Sequence, residues 1–467
     1  MDKFIEFLRN KKIHVVGVTG AEGRNILRFL IKHKLTGVTT HDYVTEDQIE
    51  PSFKLWHKGI SQTEKEKLFK GFLADLSQSH TSFGDKYLIG IDHADIVFTP
   101  QSWRLYKERN QKLWVAYKKG IPFYSITRMY LDYAKAQIIG VTGTVGKGST
   151  AYILKQILDK SGRKVYFTGN ETWTLQMVDR IDEMSKDDIL ILEISHRQLL
   201  DGFSRAPNIV VFTNLFPNHL DELSWDKYKE IKTSLIKFQT KDDYSVINYD
   251  SSELRNISVR LRSKVLYFSA KSTHMNIKSI QYITTYLKSN KNMHITDNVL
   301  AAYSATSLFQ DPKLLSTDFI PSLLFLPARM QLLSTKSSVN FYDDIKSTTP
   351  WSTMEALRKL GSNTVLICGG HTKGINYYDF IQFTEANTRK IILLKSELST
   401  EVGKFFPNDK FQVYDCLKEA IFKAFKISGE NENILVSPAA AFFYTDFIKG
   451  KDSIRKIITS LPPRELI

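Results

Sequence analysis

The stretch Gly140-Val-Thr-Gly-Thr-Val-Gly-Lys-Gly-Ser-Thr150 constrains this chain more than any other part of it. It follows the apolar tetrad Gln137-Ile-Ile-Gly140 and precedes Ala151 to Leu158, where apolar residues 153, 154, 157 and 158 share one helical face. Strand, glycine loop and helix in that order aim successive backbone N–H groups and the positive end of a helix at one point. A polyphosphate suits that point and Lys147 can reach its terminal phosphates, so the stretch reads as an ATP site. The pattern departs from G-x4-G-K-[ST]: Val141 stands at the first glycine, and Gly148 separates Lys147 from the hydroxyls of Ser149 and Thr150. The alternative is a glycine-rich turn with a surface lysine, against which the flanking strand and helix argue.

One such unit is a fraction of 467 residues, a length that divides into about three domains. A hydrophobic share of 42% excludes a largely disordered chain, and no run approaches the roughly 18 to 20 apolar residues of a membrane helix, so no membrane insertion is expected. The opening Met1-Asp-Lys-Phe-Ile-Glu-Phe-Leu-Arg-Asn10 is mixed in charge and carries no cleavable apolar segment. Two cysteines, Cys368 and Cys416, make neither a disulfide framework nor a metal cluster, and a cytoplasmic setting is expected. The net charge of +14 comes with lysines spread along the chain, without arginine-rich or aromatic-interleaved blocks. That reads as a solvated surface attracting anionic nucleotides, not as a nucleic-acid interface.

Taken in order, the chain opens with a strand at His14-Val-Val-Gly-Val18, a turn with Gly17, Gly20 and Gly23, a helix from Asn25 to Lys34 and a second strand ending at Asp42. This is a Rossmann-like opening whose glycines suit a diphosphate and whose Asp42 suits a sugar or base; a tight turn without a ligand is the alternative. An amphipathic helix follows around Leu68 to Leu76, then strands at 95–99 and 121–125 separated by a helix predicted from Trp103 to Lys119. Beyond the phosphate loop, Asp188-Ile-Leu-Ile-Leu192 runs into Glu193, and a carboxylate at the carboxyl end of a parallel strand faces the ligand crevice, where it can hold magnesium. The next strand ends in Asn214-Leu-Phe-Pro-Asn-His-Leu-Asp221, which puts His219 and Asp221 on a loop at the same edge. A helix from Trp225 to Phe238 carries Lys227, Lys229, Lys232 and Lys237, a composition that by itself reads as a solvated basic face. Strands at 245–248 and 264–268 and a helix from His294 to Thr306 complete the unit, and prolines 312, 321 and 327 mark a linker near 325. A third alternation follows, with Asp343, Asp344 and Lys346 in one turn, Gly369-Gly-His-Thr-Lys373 in another and Ser437-Pro-Ala-Ala-Ala in a third. The expected fold class is therefore α/β in three domains. These are a Rossmann-like unit over 1–135, a central P-loop ATPase unit with a mostly parallel sheet over 136–325, and a C-terminal Rossmann-like unit over 326–467.

These marks in this order resemble the Mur ligases, ATP-dependent enzymes that add amino acids to the bacterial cell-wall precursor. The resemblance spans nearly the whole chain: TGTVGKGST, Gly169-Asn170, EISHRQL from Glu193, N-x-x-x-N-H-L-D from Asn214, YKEIK around Lys232, H-x-x-x-N-V-L-A-A from His294, LPARMQ around Arg329, DDIKSTTP, GGHTKG and SPAAA. Within the family, the form is most similar to members that add D-glutamate to UDP-N-acetylmuramoyl-L-alanine in peptidoglycan synthesis. The resemblance implies ATP and Mg2+ as cofactors, those two small molecules as substrates, and a monomer. It implies that Gly143, Thr144, Gly146, Lys147, Gly148, Ser149 and Thr150 cradle the ATP phosphates, with Asn298, Arg329 and Asp344 also on ATP. It implies that Ser149, Glu193, His219 and Lys232, the last as a carbamate, hold magnesium, and that Lys346 lies near the transferred phosphate. Gly17, Thr19, Gly20, Asp42 and Asn170 would touch the UDP-sugar, and Thr348, Lys373, Ser437 and Phe447 the incoming amino acid.

Several positions depart from the family pattern. Val145 stands where asparagine is usual, Gly148 gives a GKGST form similar to folylpolyglutamate synthases, and Ala328 and Gln331 flank Arg329 in place of a histidine and an acid. Thr99-Pro100-Gln101 replaces a Ser-Pro-Gly turn, and Phe442 a serine. The implied reaction transfers the γ-phosphoryl group of ATP to a carboxylate, and an amine then displaces phosphate to give an amide. Alternatives left open are the same chemistry on another cell-wall or folate acceptor, and a nucleotide-binding relative without ligase activity; a P-loop kinase would leave the third unit without a role.

Overall fold

The computed structural model describes all residues except 58–59, 171–174, 290–295, 325, 406–409, 443–453 and 463–467. His294, the first residue of one family mark, and Phe447, expected on the amino acid, lie outside the described residues.

Three sheets succeed one another along the chain. The first is formed by β1 (Ile13–Val16), β2 (Val38–Asp42), β3 (His80–Phe83), β4 (Ile96–Phe98) and β5 (Phe123–Tyr124), in the order β3-β2-β1-β4-β5 with every pair parallel. The second contains β6 (Gln137–Thr142), β7 (Val165–Gly169), β8 (Ile189–Glu193), β9 (Ile209–Phe212), β10 (Tyr244–Asn248) and β11 (Lys264–Phe268), ordered β11-β10-β9-β6-β8-β7 and again wholly parallel. The third contains β12 (Gln331–Lys336), β13 (Val339–Asp343), β14 (Thr364–Cys368), β15 (Lys390–Leu394), β16 (Phe411–Tyr414) and β17 (Asn433–Val436), ordered β12-β13-β17-β14-β15-β16, with β12 antiparallel to β13. Parallel strands need crossovers that cover both faces, which is why β8 and β9 are buried along their whole length and read as unbroken apolar runs.

By its contacts the chain divides into two compact units. One comprises Met1–Asn214, Glu230–Tyr282 and Asp297–Pro321 and holds the first two sheets; the other comprises Leu215–Lys229, Ile283–Thr296 and Ser322–Ile467 and holds the third. In each sheet one strand sits where the order reverses: β1 between β2 and β4, β6 between β9 and β8, and β17 between β13 and β14. The crevice beyond the carboxyl end of such a strand is where an open α/β sheet takes a ligand. The turns after β1, β6 and β17 are the Gly17 turn, the phosphate loop and Ser437-Pro-Ala-Ala-Ala.

Two readings of the sequence differ from the structure. The helix predicted over 103–119 is a 3-10 turn, Gln101–Leu105, followed by a helix only over Gln111–Lys118. One contact within the segment and one outside it account for the break: Trp103 is buried and its carbonyl takes the Asn110 amide at 2.6 Å, while Arg104 pairs with Asp201 at 2.7 Å. Similarly, the helix expected from Asn25 begins at Ala21, because Gly20 supplies the extended residue at its N-terminus. Among the described residues no helix is long and apolar enough to cross a membrane.

Inside the first sheet, neighbouring β1 and β2 bury a histidine pair. His14 Nδ1 and His41 Nε2 are 2.7 Å apart and the rings stack at 4.9 Å. Burial holds the pKa of both below the ordinary 6.5; the His14 ring further disfavours a proton on His41, while at His14 the Asp92 charge opposes the shift and Lys12 adds to it. The folded chain thus keeps neutral two rings that protonate near 6.5 when unfolded, so their contribution is complete above that value and is lost as pH falls below it. Calorimetry should find the unfolding temperature of the first unit dropping as pH is lowered from 6.5, and His41→Gln should make that slope shallower. An equal slope in the variant would disprove the assignment.

Candidate active site

The loop after β6 turns back at two glycines whose conformations exclude a side chain. Gly143 has φ +143° and a Cβ there would lie 2.0 Å from Thr213 Oγ1; Gly146 has φ +84° and a Cβ would lie 2.3 Å from Asn298 Nδ2. Between them the backbone of Val145 is clasped by the residues that follow β9. Its N–H donates to Asn214 Oδ1 at 2.9 Å, and its carbonyl accepts from Thr213 Oγ1 at 2.6 Å and from Asn214 Nδ2 at 3.0 Å. On the other side Asn298 Nδ2 donates to the Gly146 carbonyl at 3.0 Å and to Thr150 Oγ1 at 2.9 Å. The helix Lys147–Leu158 then starts with Gly148, Ser149 and Thr150 buried in its first turn, so the positive end of its dipole lies at the loop. Lys147 Nζ donates to the Thr144 carbonyl at 3.0 Å, folded across the loop it serves. At 145, where asparagine is usual, the contacts that hold the loop are to the backbone.

Thr142, the last residue of β6, connects this loop to a buried lysine. Its hydroxyl donates to the Ile194 carbonyl at 2.9 Å and accepts from Lys232 Nζ at 3.2 Å. Lys232 lies on the helix Trp225–Lys237 and is only 1% exposed, so the basic face suggested by composition does not include it. Its pKa is pushed well below the ordinary lysine value, chiefly by burial and then by the charge of Lys147, with Glu193 acting in the opposite sense. Glu193 ends β8, directly beside the end of β6 in register with Val141, and its Oε1 accepts from Asn170 Nδ2 at 3.1 Å. Phosphate loop, carboxylate and an amine poor in protons thus share one end of one sheet.

A cavity of about 320 Å³ opens at the end of the first sheet and reaches the second. All five residues expected on the UDP-sugar, Gly17, Thr19, Gly20, Asp42 and Asn170, line it. Asp42 is oriented by Thr19, whose backbone N–H and hydroxyl both donate to Oδ2, at 2.9 and 2.8 Å. Sequence reasoning missed the opposite wall, where the Arg109 guanidinium lies 4.0 Å from the Tyr43 ring and 5.1 Å from that of Tyr106, with Trp56 nearby in the lining. Tyr43, Trp56 and Tyr106 are each 44 to 48% exposed and line the cavity, aromatic surface of the kind a flat base packs on. The cluster Trp103-Arg-Leu-Tyr106 was the available signal, hidden by the helix assigned to it. Glu22 in the same lining accepts from the Gln101 N–H at 3.0 Å, and its carboxyl is pushed up to about 7, mainly by burial, despite that hydrogen bond.

In the second unit, Asp344 follows β13 and is 2% exposed. It accepts from the Met330 N–H at 3.0 Å and from Ser437 Oγ at 2.7 Å, and burial raises its pKa to about 6. The Ser437 hydroxyl is also 2.7 Å from Thr353 Oγ1 and is fully buried, so its position is beneath Asp344 and not on a ligand-facing surface. Arg329 donates to the Lys346 carbonyl at 2.9 Å, which ties the two turns together, and Lys346 itself is exposed. Lys373 Nζ donates to the Thr348 carbonyl at 2.9 Å, so two of the four residues expected on the amino acid are neighbours. The Lys373 carbonyl in turn accepts from the N–H groups of Leu220 and Asp221, next to His219, whose Nδ1 is 3.3 Å from Glu222 Oε1. Phe442 packs half-buried against the hydrophobic core of this unit.

A glycine loop of the kind that holds a nucleotide's phosphates thus sits on a parallel sheet, flanked in sequence by two further α/β sheets. Residues 141–305 match the Mur ligase middle domain. The UDP-N-acetylmuramoylalanine–D-glutamate ligase of Thermoanaerobacter sp. (strain X514) is 30% identical over 349 residues, 70% of this chain and 76% of that protein. The enzyme of the same name from Clostridium novyi is 26% identical over 482 residues, covering 98% of this chain and 99% of its own. Among solved structures, a pseudomurein peptide ligase type C from Methanothermus fervidus has a similar fold, with TM-score 0.57 at 15% identity over 96% of this chain and 99% of that one. UDP-N-acetylmuramate-alanine ligase from Thermotoga maritima gives TM-score 0.52 at 14% identity, over 92% and 96%. The chain belongs to the Mur ligase family, enzymes that form amide bonds at the expense of ATP.

The Glu22 carboxyl bears on binding. Below about 7 it is neutral; above, it adds a negative charge to a cavity suited to an anionic nucleotide. Titration calorimetry with UDP should find affinity weakening as pH rises through about 7, and Glu22→Gln should flatten that dependence. A variant with an unchanged pH profile would rule Glu22 out as its source.

Proposed function

We propose that this chain joins D-glutamate to UDP-N-acetylmuramoyl-L-alanine by way of an acyl phosphate. The observation that carries the reading is the set at the end of the second sheet: phosphate loop, Glu193, and Lys232 buried on Thr142 with its pKa depressed. The identity of both substrates rests on the relatives from Thermoanaerobacter and Clostridium novyi.

A lysine that stays protonated repels a cation, but an unprotonated amine attacks carbon dioxide. The N–C bond forms, one proton leaves for water, and the side chain becomes a carbamate anion with two oxygen donors. With the Ser149 hydroxyl and the Glu193 carboxylate this makes an oxygen-rich set, the ligand chemistry magnesium prefers, joined by His219 in the family's pattern. When bound there, magnesium would offset charge on the phosphates during transfer. The loop N–H groups and Lys147 would cradle the phosphates, and Asn298, already holding the Gly146 carbonyl, would keep the loop in shape for ATP. Asp344 would take the ribose, Arg329 the transferred phosphoryl group, Lys346 a neighbouring phosphate oxygen, and Thr348 and Lys373 the carboxylates of the amino acid. Ser437 would act beneath Asp344 by fixing its orientation. In the cavity the Gly17 turn would receive the diphosphate and the Tyr43, Tyr106 and Arg109 wall the uracil ring. We assign residues 1–135, 136–325 and 326–467 to acceptor, ATP and amino-acid domains on the same reading.

The test is phosphate release from ATP and magnesium with UDP-N-acetylmuramoyl-L-alanine, comparing D-glutamate, L-glutamate, other amino acids and none. Turnover that requires D-glutamate is expected; turnover with another amino acid or acceptor, or none at all, would refute the assignment. Stripping bicarbonate should slow the enzyme and adding it back should restore it. Lys232→Met, which keeps the buried volume, should lose activity by at least about a hundredfold and gain nothing from bicarbonate.

A further inference from the structure

Gln101 stands at the joint between the first two sheets, immediately after Pro100, and every polar group of its side chain is committed. Its Oε1 accepts from Ser195 Oγ at 2.8 Å, and its Nε2 donates to Asn170 Oδ1 at 3.1 Å. Asn170 then donates through Nδ2 to Glu193 Oε1 at 3.1 Å. Meanwhile the Gln101 backbone N–H donates to Glu22 Oε2 at 3.0 Å, so both ends of the row rest on carboxylates. The direction of this row follows from chemistry. A carboxylate only accepts, so Asn170 must turn its NH2 toward Glu193 and its oxygen toward Gln101. That oxygen needs a donor, and Gln101 supplies one only if its own oxygen faces Ser195, whose hydroxyl can donate. Glu193 thus sets which way the Asn170 amide faces, and Gln101 is the donor that meets its oxygen and holds the side chain in place. Gln101 and Asn170 both line the substrate cavity, whereas Glu193 ends β8 beside the phosphate loop.

We propose that Gln101 is a positioning residue for the reaction: it fixes the Asn170 amide that holds Glu193, and so links the wall of the substrate cavity to the carboxylate on the ATP side. This rests on the reading of Glu193 as a magnesium carboxylate. Without the Gln101 side chain the Asn170 oxygen loses its donor, and the amide is free to swing away from Glu193. Glutamate at 101 should do worse, since it offers Asn170 an acceptor in place of a donor and competes with Glu193 for the amide NH2.

The experiment measures ATP affinity by calorimetry with and without magnesium in the intact chain and in Gln101→Ala, Gln101→Glu and Glu193→Gln, and needs no turnover. Magnesium should tighten ATP binding in the unaltered chain. That gain should shrink by about tenfold in Gln101→Ala and further in Gln101→Glu, with metal-free affinity unchanged. In steady-state kinetics kcat should fall by about the same factor, while KM for the nucleotide acceptor stays within about twofold. If Glu193→Gln abolishes the gain and both Gln101 variants keep it, Gln101 is only cavity wall and the proposal fails. A raised KM with unchanged kcat in Gln101→Ala would overturn it as well. If Glu193→Gln itself keeps the gain, the reading of Glu193 fails first and the proposal with it. A lowered unfolding temperature with intact gain and kinetics would make Gln101 structural only.

Discussion

The clasp that Thr213 and Asn214 place on the backbone of Val145 is what the central site depends on. Three hydrogen bonds meet on one residue of a loop that has no regular structure of its own. Leaving a buried partner unmet costs on the order of 1–3 kcal/mol, so the loop has little freedom to open. A phosphate-binding loop gains from that, because N–H groups already aimed at the ligand need no rearrangement when charge arrives. The same strand end that feeds the loop also carries Thr142, and through its hydroxyl the fold reaches Lys232.

Burial at Lys232 would be a liability in a merely structural residue. Taking an ammonium out of water costs several kcal/mol even after relaxation, and Lys147 adds repulsion. Glu193 offsets only part of this, and the outcome is an amine with little hold on its proton. Such a group is reactive toward small electrophiles, and conversion to an anion replaces repulsion from Lys147 with attraction. The strain in the folded chain and the chemistry proposed for it therefore run in the same direction.

Much of this was legible in the sequence because strand, loop and helix each write a period or a glycine into it. The apolar runs at β6, β8 and β9, the loop glycines and the carboxylate at the end of β8 follow from pattern and position alone. The five cavity residues after β1, β2 and β7 were likewise found at strand ends. What stayed hidden has no period. Tyr43, Tyr106 and Arg109 meet across a turn that local spacing made look helical, and only the Trp103 and Arg104 anchors reveal the break. Short edge strands such as β12 and β16 are half exposed and lack the apolar run that marked their neighbours. Lys232 is the sharpest case: among lysines at 227, 229 and 237 nothing local sets it apart, and its burial is decided by the sheet the helix packs on. Ser437 shows the converse, a residue at the expected strand end whose hydroxyl is spent holding Asp344.

Holding a loop by its main chain also governs how such a protein ages. A position gripped only through N–H and C=O is indifferent to which side chain it carries, provided the backbone can follow the same path. Valine at 145 is an instance, held by its backbone alone in those three hydrogen bonds. The residues doing the gripping, Thr213 and Asn214, lie nearly seventy positions away, and they lack that freedom. Two chains could therefore differ in the letters of this loop and still share its shape, provided the residues after β9 kept their grip, so similarity in letters would understate similarity in form.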